Sequence, residues 1–143
     1  MKKILLIHGP NLNLLGLRDK KHYGDLTLRE LEKVCKLEGV KHHLKVLTFQ
    51  SNHEGEIIDW IQRKSAKVSG IIINPGALTH YSYALYDALT DTKLPCIEVH
   101  LSDVKNREKW RAVSVITPAC IAVVSGKKEQ GYRDAIFLLK QEL

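Results

Sequence analysis

The chain has 143 residues, of which 44% are hydrophobic and 27% are charged, and its formal net charge is +6 at pH 7. This length and composition are typical of one globular domain that buries roughly two-thirds of its unfolded surface. No apolar run is long enough to cross a bilayer, and the apolar stretch after the N-terminal lysines is too short for a signal peptide. We therefore expect a single domain over residues 1–143, located in the cytoplasm and without a membrane partner.

The basic excess is spread along the chain. Lysine pairs occur at 2–3, 20–21 and 127–128, and no run of five or more basic residues is present. The charge alone does not choose between a nucleic acid, a small anionic ligand and an ordinary solvated surface. The glycine-rich signatures of dinucleotide and nucleoside triphosphate sites do not occur, so we expect no nucleotide cradle and no bound cofactor of that kind.

The cysteines and histidines form neither a metal pattern nor a disulfide pattern. Cys35, Cys96 and Cys120 are odd in number, widely spaced and outside any CxxC pair, which is typical of reduced, buried thiols. The seven histidines include no HExxH motif, and the adjacent pair at 42–43 lies at the entrance of a predicted strand. We therefore expect no disulfide framework and no metal ion.

Apolar runs and helical patterns alternate from one end of the chain to the other. Short apolar runs predict strands at residues 3–8, 44–49, 68–74, 95–100 and 120–125. Capping-box sequences predict one helix from Thr27 to about Glu38, ended by Gly39, and another after residues 51–54. Further helices are predicted at 79–90 and 131–142. Five strands, each followed by a helical stretch, predict a doubly wound α/β fold, a five-stranded parallel sheet with helices on both faces.

Polar side chains gather where the predicted strands end. Asn11 follows the first strand, Asn74 and His80 follow the third, and Glu98 and His100 close the fourth. Ligands of open α/β sheets bind beyond this edge. The segment GPNLNLLGLRDKKHYG at residues 9–24 is therefore interpreted as an active-site lid. The alternative, an ordinary surface loop, does not account for the gathering of reactive groups at one edge.

Glu98 and His100 are two residues apart on a predicted strand, so their side chains point to the same face. A carboxylate in that position can orient an imidazole or raise its basicity, which suits a general acid. The alternative is a structural histidine that its neighbour satisfies. The backbone amides that follow, near Ser102, are expected to enter a helix and to form a natural carboxylate site.

Tyr23 and Arg18 lie five residues apart in the predicted lid. A tyrosine acting as a base needs its pKa lowered from about 10 toward neutrality, which is roughly 4 kcal/mol of differential stabilisation. A guanidinium in a closed, water-poor site can supply much of that, although both side chains can equally be surface groups. Arg107 and Arg111 are four residues apart and share a face if helical, which suits an anion, a carboxylate partner or a solvated surface.

Several stretches, in the same order over nearly the whole length, make the chain resemble the type II 3-dehydroquinate dehydratases, the small shikimate-pathway enzymes that also serve quinate catabolism. The matching stretches are GPNLNLLG at 9–16 with Arg18 and Tyr23-Gly24, QSNHEGE at 50–56, IINPGA at 72–77 with Thr79-His80, Asp87-Ala88, EVHLS at 98–102, Arg107-Glu108 with Arg111, and Gln130-Gly-Tyr132.

The resemblance implies a flavodoxin-like fold and a lyase that removes water from 3-dehydroquinate to give 3-dehydroshikimate, in aromatic amino acid biosynthesis, with no metal and no cofactor. By this resemblance Tyr23 is the base that removes the proton next to the ketone, and Arg18 lowers the tyrosine pKa. Asn11 helps to hold the enolate through a water. His100, oriented by Glu98, protonates the departing hydroxyl.

The resemblance also implies which residues bind the substrate and how subunits assemble. Asn74, His80 and Arg111 bind substrate hydroxyls, and the backbone amides of Leu101 and Ser102 bind its carboxylate. Asp87 reaches in from a neighbouring subunit, which ties activity to a homo-oligomer, a trimer or a dodecamer of trimers. No nucleic-acid partner is implied.

The chain departs from the family pattern at positions outside the expected chemistry: Leu78, Tyr86, Asp103, Val113 and the pair Lys127-Lys128. The changes at Tyr86 and Asp103 bear on subunit contacts, so they affect the expected oligomer and not the expected chemistry. The alternative function is a non-catalytic flavodoxin-like module that binds a nucleotide or another anion, in which case the pairing of an acid and a base is coincidental.

Overall fold

A computed structural model describes residues 1–103 and 106–143 as an α/β protein with one five-stranded sheet. All pairings are parallel, and the strand order is β2-β1-β3-β4-β5, which is the flavodoxin-like doubly wound order. The predicted fold class is therefore confirmed. The strands are β1 Lys2–His8, β2 Leu44–Gln50, β3 Gly70–Asn74, β4 Cys96–His100 and β5 Ala122–Ser125.

Five α-helices occur in the described residues: α1 Lys20–Tyr23, α2 Leu28–Lys41, α3 Glu54–Lys64, α4 Tyr83–Thr92 and α5 Glu129–Gln141. Short 3₁₀ turns occur at Leu12–Leu14, Ser65–Lys67, Gly76–His80, Lys109–Ala112 and Thr117–Ala119. Between β4 and β5, the described residues contain only 3₁₀ turns and loops and no α-helix. The helical stretch that follows β4 in the described residues is therefore 3₁₀ and not α-helical. None of the helices described is long and apolar enough to cross a membrane.

The core lies on both faces of the sheet because consecutive positions in the middle of the central strands are apolar. In β1, Ile4 and Leu6 point to one face and Leu5 and Ile7 to the other, and all four are at most 1% exposed. One face packs on α2 and α5, and the opposite face packs on α3 and α4. A strand buried on both faces is expected to be continuously apolar rather than alternating, which is how this one reads in the sequence.

The start of α2 is confirmed, but its predicted end is wrong. Thr27 Oγ1 accepts a hydrogen bond from the Glu30 amide at 3.2 Å, and Glu30 Oε1 accepts from the Thr27 amide at 3.3 Å, which is the predicted capping box. The helix then runs through Gly39 to Lys41. A Cβ at Gly39 would lie 2.6 Å from Cγ2 of Val46, so this glycine allows close packing on β2 instead of ending the helix.

The second predicted capping box, at residues 51–54, does not form. The residue before α3 is His53, which makes no side-chain cap bond. Ser51 instead accepts a hydrogen bond from the His53 amide at 2.9 Å and donates one to Oε2 of Glu56 at 2.6 Å. The Glu54 carboxylate accepts from the Ser82 hydroxyl of the neighbouring helix start. A longer-range partner thus replaces the local bond that the spacing predicts.

The helix after β3 begins later than predicted. Residues 76–80 form a 3₁₀ turn, and α4 begins only at Tyr83, where Ser82 is the N-cap and accepts from the Leu85 amide at 3.1 Å. The left-handed Gly76, with φ of 59°, redirects the chain directly after β3. Thr79 and His80 therefore lie on a turn at the sheet edge and not on a helix.

Cys35 and Cys96 are buried as predicted, whereas Cys120 is only partly buried. Burial raises the pKa of the Cys35 thiol to about 12, as expected for an unreactive core cysteine. The Cys96 and Cys120 sulfur atoms lie 3.6 Å apart, because the start of β4 packs beside the turn that precedes β5.

Candidate active site

A cavity at the carboxyl edge of the sheet brings together most of the residues predicted from the sequence. Its lining includes Asn11, Arg18, Tyr23, Asn74, His80, His100, Leu101, Ser102, Arg107 and Arg111. These side chains come from the lid, from the turn after β3, from the end of β4 and from the segment that follows it. The prediction that this edge holds the reactive groups agrees with the geometry, although the role of each residue stays a prediction.

Two predicted residues do not line this cavity. Glu98 lies behind His100 on β4 and is only 1% exposed. Asp87 is exposed on α4 and contributes nothing to the cavity of its own chain. A larger groove of about 690 Å³ runs along edge strand β2, but lysines are its only charged side chains. It therefore lacks the acid–base chemistry of the sheet edge.

Residues that follow β2 position the first turn of the lid. The Asn52 Oδ1 accepts from the Asn11 amide at 2.9 Å and from Gln50 Nε2 at 3.2 Å, and Gln50 also donates to the Gly9 carbonyl at 3.3 Å. Asn11 adopts a left-handed conformation with φ of 70°. A Cβ at Gly9 would lie 2.3 Å from the Pro75 carbonyl oxygen, so only glycine lets the turns after β1 and β3 meet.

The side-chain amide group of Asn74 is held by hydrogen bonds at both its nitrogen and its oxygen. Its Nδ2 donates to the Tyr132 hydroxyl at 2.9 Å, and its Oδ1 accepts from the Gly76 amide at 3.1 Å. Tyr132 is fully buried on α5, and that burial raises its pKa well above the usual value, so it stays a neutral hydroxyl. Sequence reasoning did not assign Tyr132 a role, because no local pattern connects α5 with the end of β3.

Two guanidinium groups surround the ring of Tyr23. The Arg18 Cζ lies 3.7 Å from the ring centroid, so this arginine covers the ring face. Arg107 Nη1 donates to the Tyr23 hydroxyl at 2.7 Å. Arg107 was interpreted only as the partner of Arg111 on a helical face, so its contact with Tyr23 was missed. The phenol of Tyr23 therefore lies against two positive charges.

The arginines make this part of the cavity strongly cationic. Burial lowers the pKa of Arg18; the neighbouring Tyr23 raises it, and the charges of Arg107 and Arg111 lower it further. Arg111 is held by Glu108, with Nε to Oε2 at 2.5 Å, and its Cζ lies 4.2 Å from the Trp110 ring. A cavity with this charge is suited to an anionic ligand.

Glu98 and His100 form a buried pair on β4. His100 Nε2 lies 2.5 Å from Glu98 Oε2, and His100 is only 6% exposed. Burial opposes ionisation of Glu98 and raises its pKa. A hydrogen bond from His100, the charge of His100, and hydrogen bonds from Thr79 and Thr117 outweigh the burial. Together they hold the Glu98 pKa below its usual range. The predicted pairing of Glu98 with His100 is present. The hydroxyl donors around it were not predicted, because they come from distant segments.

The remaining predicted binding residues lie around the same cavity. His80 Nδ1 contacts the Val113 carbonyl oxygen at 2.6 Å, which orients its ring. Leu101 and Ser102 are buried, and Arg107 Nη1 lies 3.5 Å from the Ser102 hydroxyl. Leu101 and Ser102 lie on a bend, and the helix expected to follow them falls partly on residues 104 and 105, outside the described residues.

The departures from the family pattern have little effect on the cavity. Leu78 is 3% exposed and packs in the core with α3 and α4. Val113 is 59% exposed, and its contact with His80 uses the backbone carbonyl, which any residue provides. Asp103 accepts a hydrogen bond from Asn106 at 2.6 Å in the segment that follows β4. Among the described residues, no group of three or more His, Cys, Asp or Glu side chains is arranged to hold a metal ion.

Comparison with known proteins gives one consistent result. The family model described as dehydroquinase class II matches residues 2–140. The 3-dehydroquinate dehydratase of Caldicellulosiruptor saccharolyticus is 49% identical over 144 residues, covering 100% of this chain and 99% of its own. That of Clostridium perfringens (strain ATCC 13124) is 50% identical over 142 residues, with 99% of each covered.

Solved structures agree with the sequence relatives. The type II dehydroquinase of Butyrivibrio crossotus superposes with a TM-score of 0.93 at 45% identity, covering 96% of this chain and 97% of its own. The type II dehydroquinase of Propionibacterium acnes superposes with a TM-score of 0.94 at 34% identity, covering 99% and 97%. The resemblance stated from the motifs is therefore confirmed. This chain belongs to the class II dehydroquinase family.

Proposed function

We propose that this chain is a cytoplasmic 3-dehydroquinate dehydratase that eliminates water from 3-dehydroquinate and forms 3-dehydroshikimate in the shikimate pathway. The observation that carries the proposal is that one cationic cavity is lined by Tyr23 under two guanidinium groups and by His100, which Glu98 orients. Elimination next to a ketone needs a base, stabilisation of the enolate and an acid for a poor leaving group. The cavity holds a candidate for each.

Tyr23 is the base in this proposal. Its hydroxyl accepts a hydrogen bond from Arg107, and Arg18 covers its ring, so the phenolate that must form is electrostatically stabilised from two directions. The phenolate removes the proton from the carbon next to the ketone, and the electron pair moves to the ketone oxygen. Asn11, on its left-handed turn, lies at the cavity wall and holds the enolate oxygen through a water.

His100 is the acid. Its Nε2 contacts Glu98, so Nδ1 is the nitrogen left to protonate the departing hydroxyl as the enolate collapses and the carbon–oxygen bond breaks. The proton lost from His100 leaves as part of the water molecule, and Tyr23 retains the proton taken from carbon. Neither step requires a metal or an organic cofactor.

The other cavity residues bind the substrate in this scheme. Asn74, His80 and Arg111 hold its hydroxyl groups, and the amides of Leu101 and Ser102 hold its carboxylate. The fixed orientations of Asn74 and His80 support this role, because preorganised polar groups lose little freedom on binding. The positive charge from Arg18, Arg107 and Arg111 supports an anionic substrate.

The proposal includes assembly of the single domain into a homo-oligomer, a trimer or a dodecamer of trimers. Asp87 is exposed on α4 and does not line the cavity of its own chain, so it reaches a site only in a neighbouring copy. Tyr81 and Tyr83 are 63% and 69% exposed on the same part of the surface, and exposed aromatic side chains are enriched at protein interfaces. Analytical ultracentrifugation of the purified chain measures the mass of the assembly, and an activity assay at the same concentration completes the test. A monomer with full activity contradicts the proposal.

The direct test of the function is to add 3-dehydroquinate to the purified chain and follow the ultraviolet absorbance of the conjugated enone product. We expect turnover without added metal or cofactor. If the substrate binds but no enone forms, the chain is a non-catalytic binding module. Binding of a nucleotide or nucleic acid that weakens steeply with salt supports that second function.

A further inference from the structure

Three hydroxyl groups that the proposed reaction does not use surround the buried carboxylate of Glu98. Thr79 comes from the turn after β3, and Ser114 and Thr117 come from the segment between β4 and β5. Thr79 Oγ1 lies 2.6 Å from Oε2, Thr117 Oγ1 lies 2.7 Å from Oε1, and Ser114 Oγ lies 3.1 Å from both oxygens. All three lie 16 to 19 positions from Glu98 in the sequence, so the fold itself brings them to the carboxylate.

The direction of the Ser114 hydrogen bond is fixed by the backbone around it. Its Oγ accepts from the amide of Ile116 at 3.2 Å and from the amide of Thr117 at 3.1 Å. A hydroxyl has two acceptor lone pairs and one proton. With both lone pairs occupied, Ser114 can only donate, toward Glu98 or toward Thr79 Oγ1 at 2.8 Å. The Thr79 proton is therefore left for Glu98.

The donors around Glu98 fill the acceptor sites of an ionised carboxylate. Oε2 accepts from Thr79 and from His100 Nε2, Oε1 accepts from Thr117, and the Ser114 hydroxyl, 3.1 Å from both oxygens, can donate to either. A carboxylate offers about four lone-pair sites, which matches the four donors that surround Glu98. A protonated Glu98 would have to displace one of these donors. The arrangement favours the charged form of a side chain that is almost fully buried, where an unpaired charge is costly.

We propose that Thr79, Ser114 and Thr117 are positioning residues for the dehydration. They hold Glu98 as a carboxylate, so that the proton shared by the buried pair resides on His100 and Nδ1 can donate to the leaving hydroxyl. Without them, a neutral carboxylic acid beside a neutral imidazole becomes competitive in the low-dielectric interior. In that neutral pair the shared proton lies on Glu98, and the imidazole that keeps its proton on Nδ1 is uncharged and a far weaker acid than an imidazolium, so it protonates the leaving hydroxyl poorly. The inference rests on the proposed function, in which His100 is the acid.

The test compares Thr117→Val, which keeps the shape and removes the donor, with Thr117→Ser, which restores the hydroxyl. The first readout is the ¹⁵N spectrum of labelled histidine at mildly acidic pH, with the His100 signal assigned by its loss in His100→Ala. We expect imidazolium shifts for wild type and Thr117→Ser, and shifts toward neutral imidazole for Thr117→Val. The second readout is kinetic. We expect Thr117→Val to lower kcat about tenfold with KM changed less than twofold.

Thr92→Val is the matched control, because the Thr92 hydroxyl also makes two hydrogen bonds, to the Leu89 carbonyl and from the Leu94 amide, at the far end of α4. We expect it to change neither the His100 spectrum nor kcat. If Thr117→Val does not fold, as judged by circular dichroism, Ser114→Ala takes its place in both readouts, with the same expected results.

The outcomes separate this inference from the function on which it rests. A wild-type chain that forms no 3-dehydroshikimate overturns the proposed function, while the histidine spectra still report how the proton is shared. An active wild type whose His100 spectrum is unchanged in Thr117→Val overturns the inference. A lower kcat with an unchanged spectrum also overturns it, because the hydroxyl then serves only the structure.

Discussion

The acid side and the base side of the site are held in place in different ways. Glu98 and His100 are on β4, an interior strand of the sheet, and are 1% and 6% exposed. Tyr23 ends α1, a helix of four residues in the lid, and Leu17 just before that helix is 87% exposed. The acid is therefore preorganised by the core. The base lies on a short helix, is only partly buried against the core, and contacts Arg18 and Arg107.

The lid itself divides into an anchored part and a loosely packed part. Leu12 and Leu15 are 2% and 4% exposed and anchor its first turn on the core. The part that carries Arg18 and Tyr23 lies between Gly16 and Gly24. Their backbone φ angles are 93° and 79°, values that residues other than glycine rarely adopt. Segments with few buried apolar contacts open locally at low cost. Closure of this part over the substrate would complete the base side of the site.

The largest expected effect comes from removing the base. Tyr23→Phe keeps the ring under Arg18 and removes the oxygen that takes the proton, so kcat should fall by about 10³–10⁴ while substrate still binds. Steady-state kinetics and isothermal titration calorimetry measure the two quantities. Tyr83→Phe, at an exposed tyrosine of α4, is the control. A normal kcat for Tyr23→Phe would remove this residue as the base.

A smaller loss is expected from removing the acid, because the enolate can still form. His100→Ala should lower kcat by about 10²–10³, within the range for general acid catalysis. Exchange of the substrate proton next to the ketone with solvent deuterium, followed by proton NMR, should persist in this variant. His42→Ala, whose ring contacts Glu38 on α2, is the control. Undiminished loss of the hydroxyl in His100→Ala would refute the acid role.

A third prediction concerns the arginine that donates to the tyrosine hydroxyl. Arg107→Met retains the length of the side chain and removes the donor at 2.7 Å, so kcat should fall about 10- to 100-fold, as expected for a lost charged hydrogen bond. Arg133→Met on α5 removes the same charge away from the site. Equal kinetics for the two variants would show that Arg107 acts only through net charge.

The smallest expected effect is no effect. Incubation of the chain with a strong chelator, followed by its removal, should leave the rate of dehydration unchanged, because no step of the proposed reaction uses a metal. Activity that is lost with the chelator and regained with a divalent cation would contradict the metal-free scheme.

The sequence predicts well what local patterns and sheet topology determine. The continuously apolar β1, the Thr27 capping box and the pairing of Glu98 with His100 two residues along a strand all follow from short-range rules. The same short-range rules fail where a distant segment supplies the deciding contact. A Cβ at Gly39 would clash with Val46 on β2, so close packing between α2 and β2 requires glycine there. The Glu54 carboxylate accepts a hydrogen bond from Ser82 and does not take part in a capping box at the start of α3.

The site shows the same division. The loop tyrosine and the strand-end histidine are recognisable from their positions in the chain. The Arg107 contact with Tyr23, the Tyr132 contact with Asn74 and the hydroxyl groups on Glu98 join residues between 16 and 84 positions apart. No spacing rule predicts such contacts, because they depend on how the loops beyond β3, β4 and β5 fold back over the sheet edge.

A crystal structure of the chain with a bound analogue of the substrate tests the central claim most directly, because it measures where the base and the acid lie. The account predicts the Tyr23 oxygen within about 3.5 Å of the carbon that loses its proton, and His100 Nδ1 within hydrogen-bond distance of the leaving hydroxyl. A tyrosine ring remote from that carbon, with a different side chain facing the proton, would contradict it.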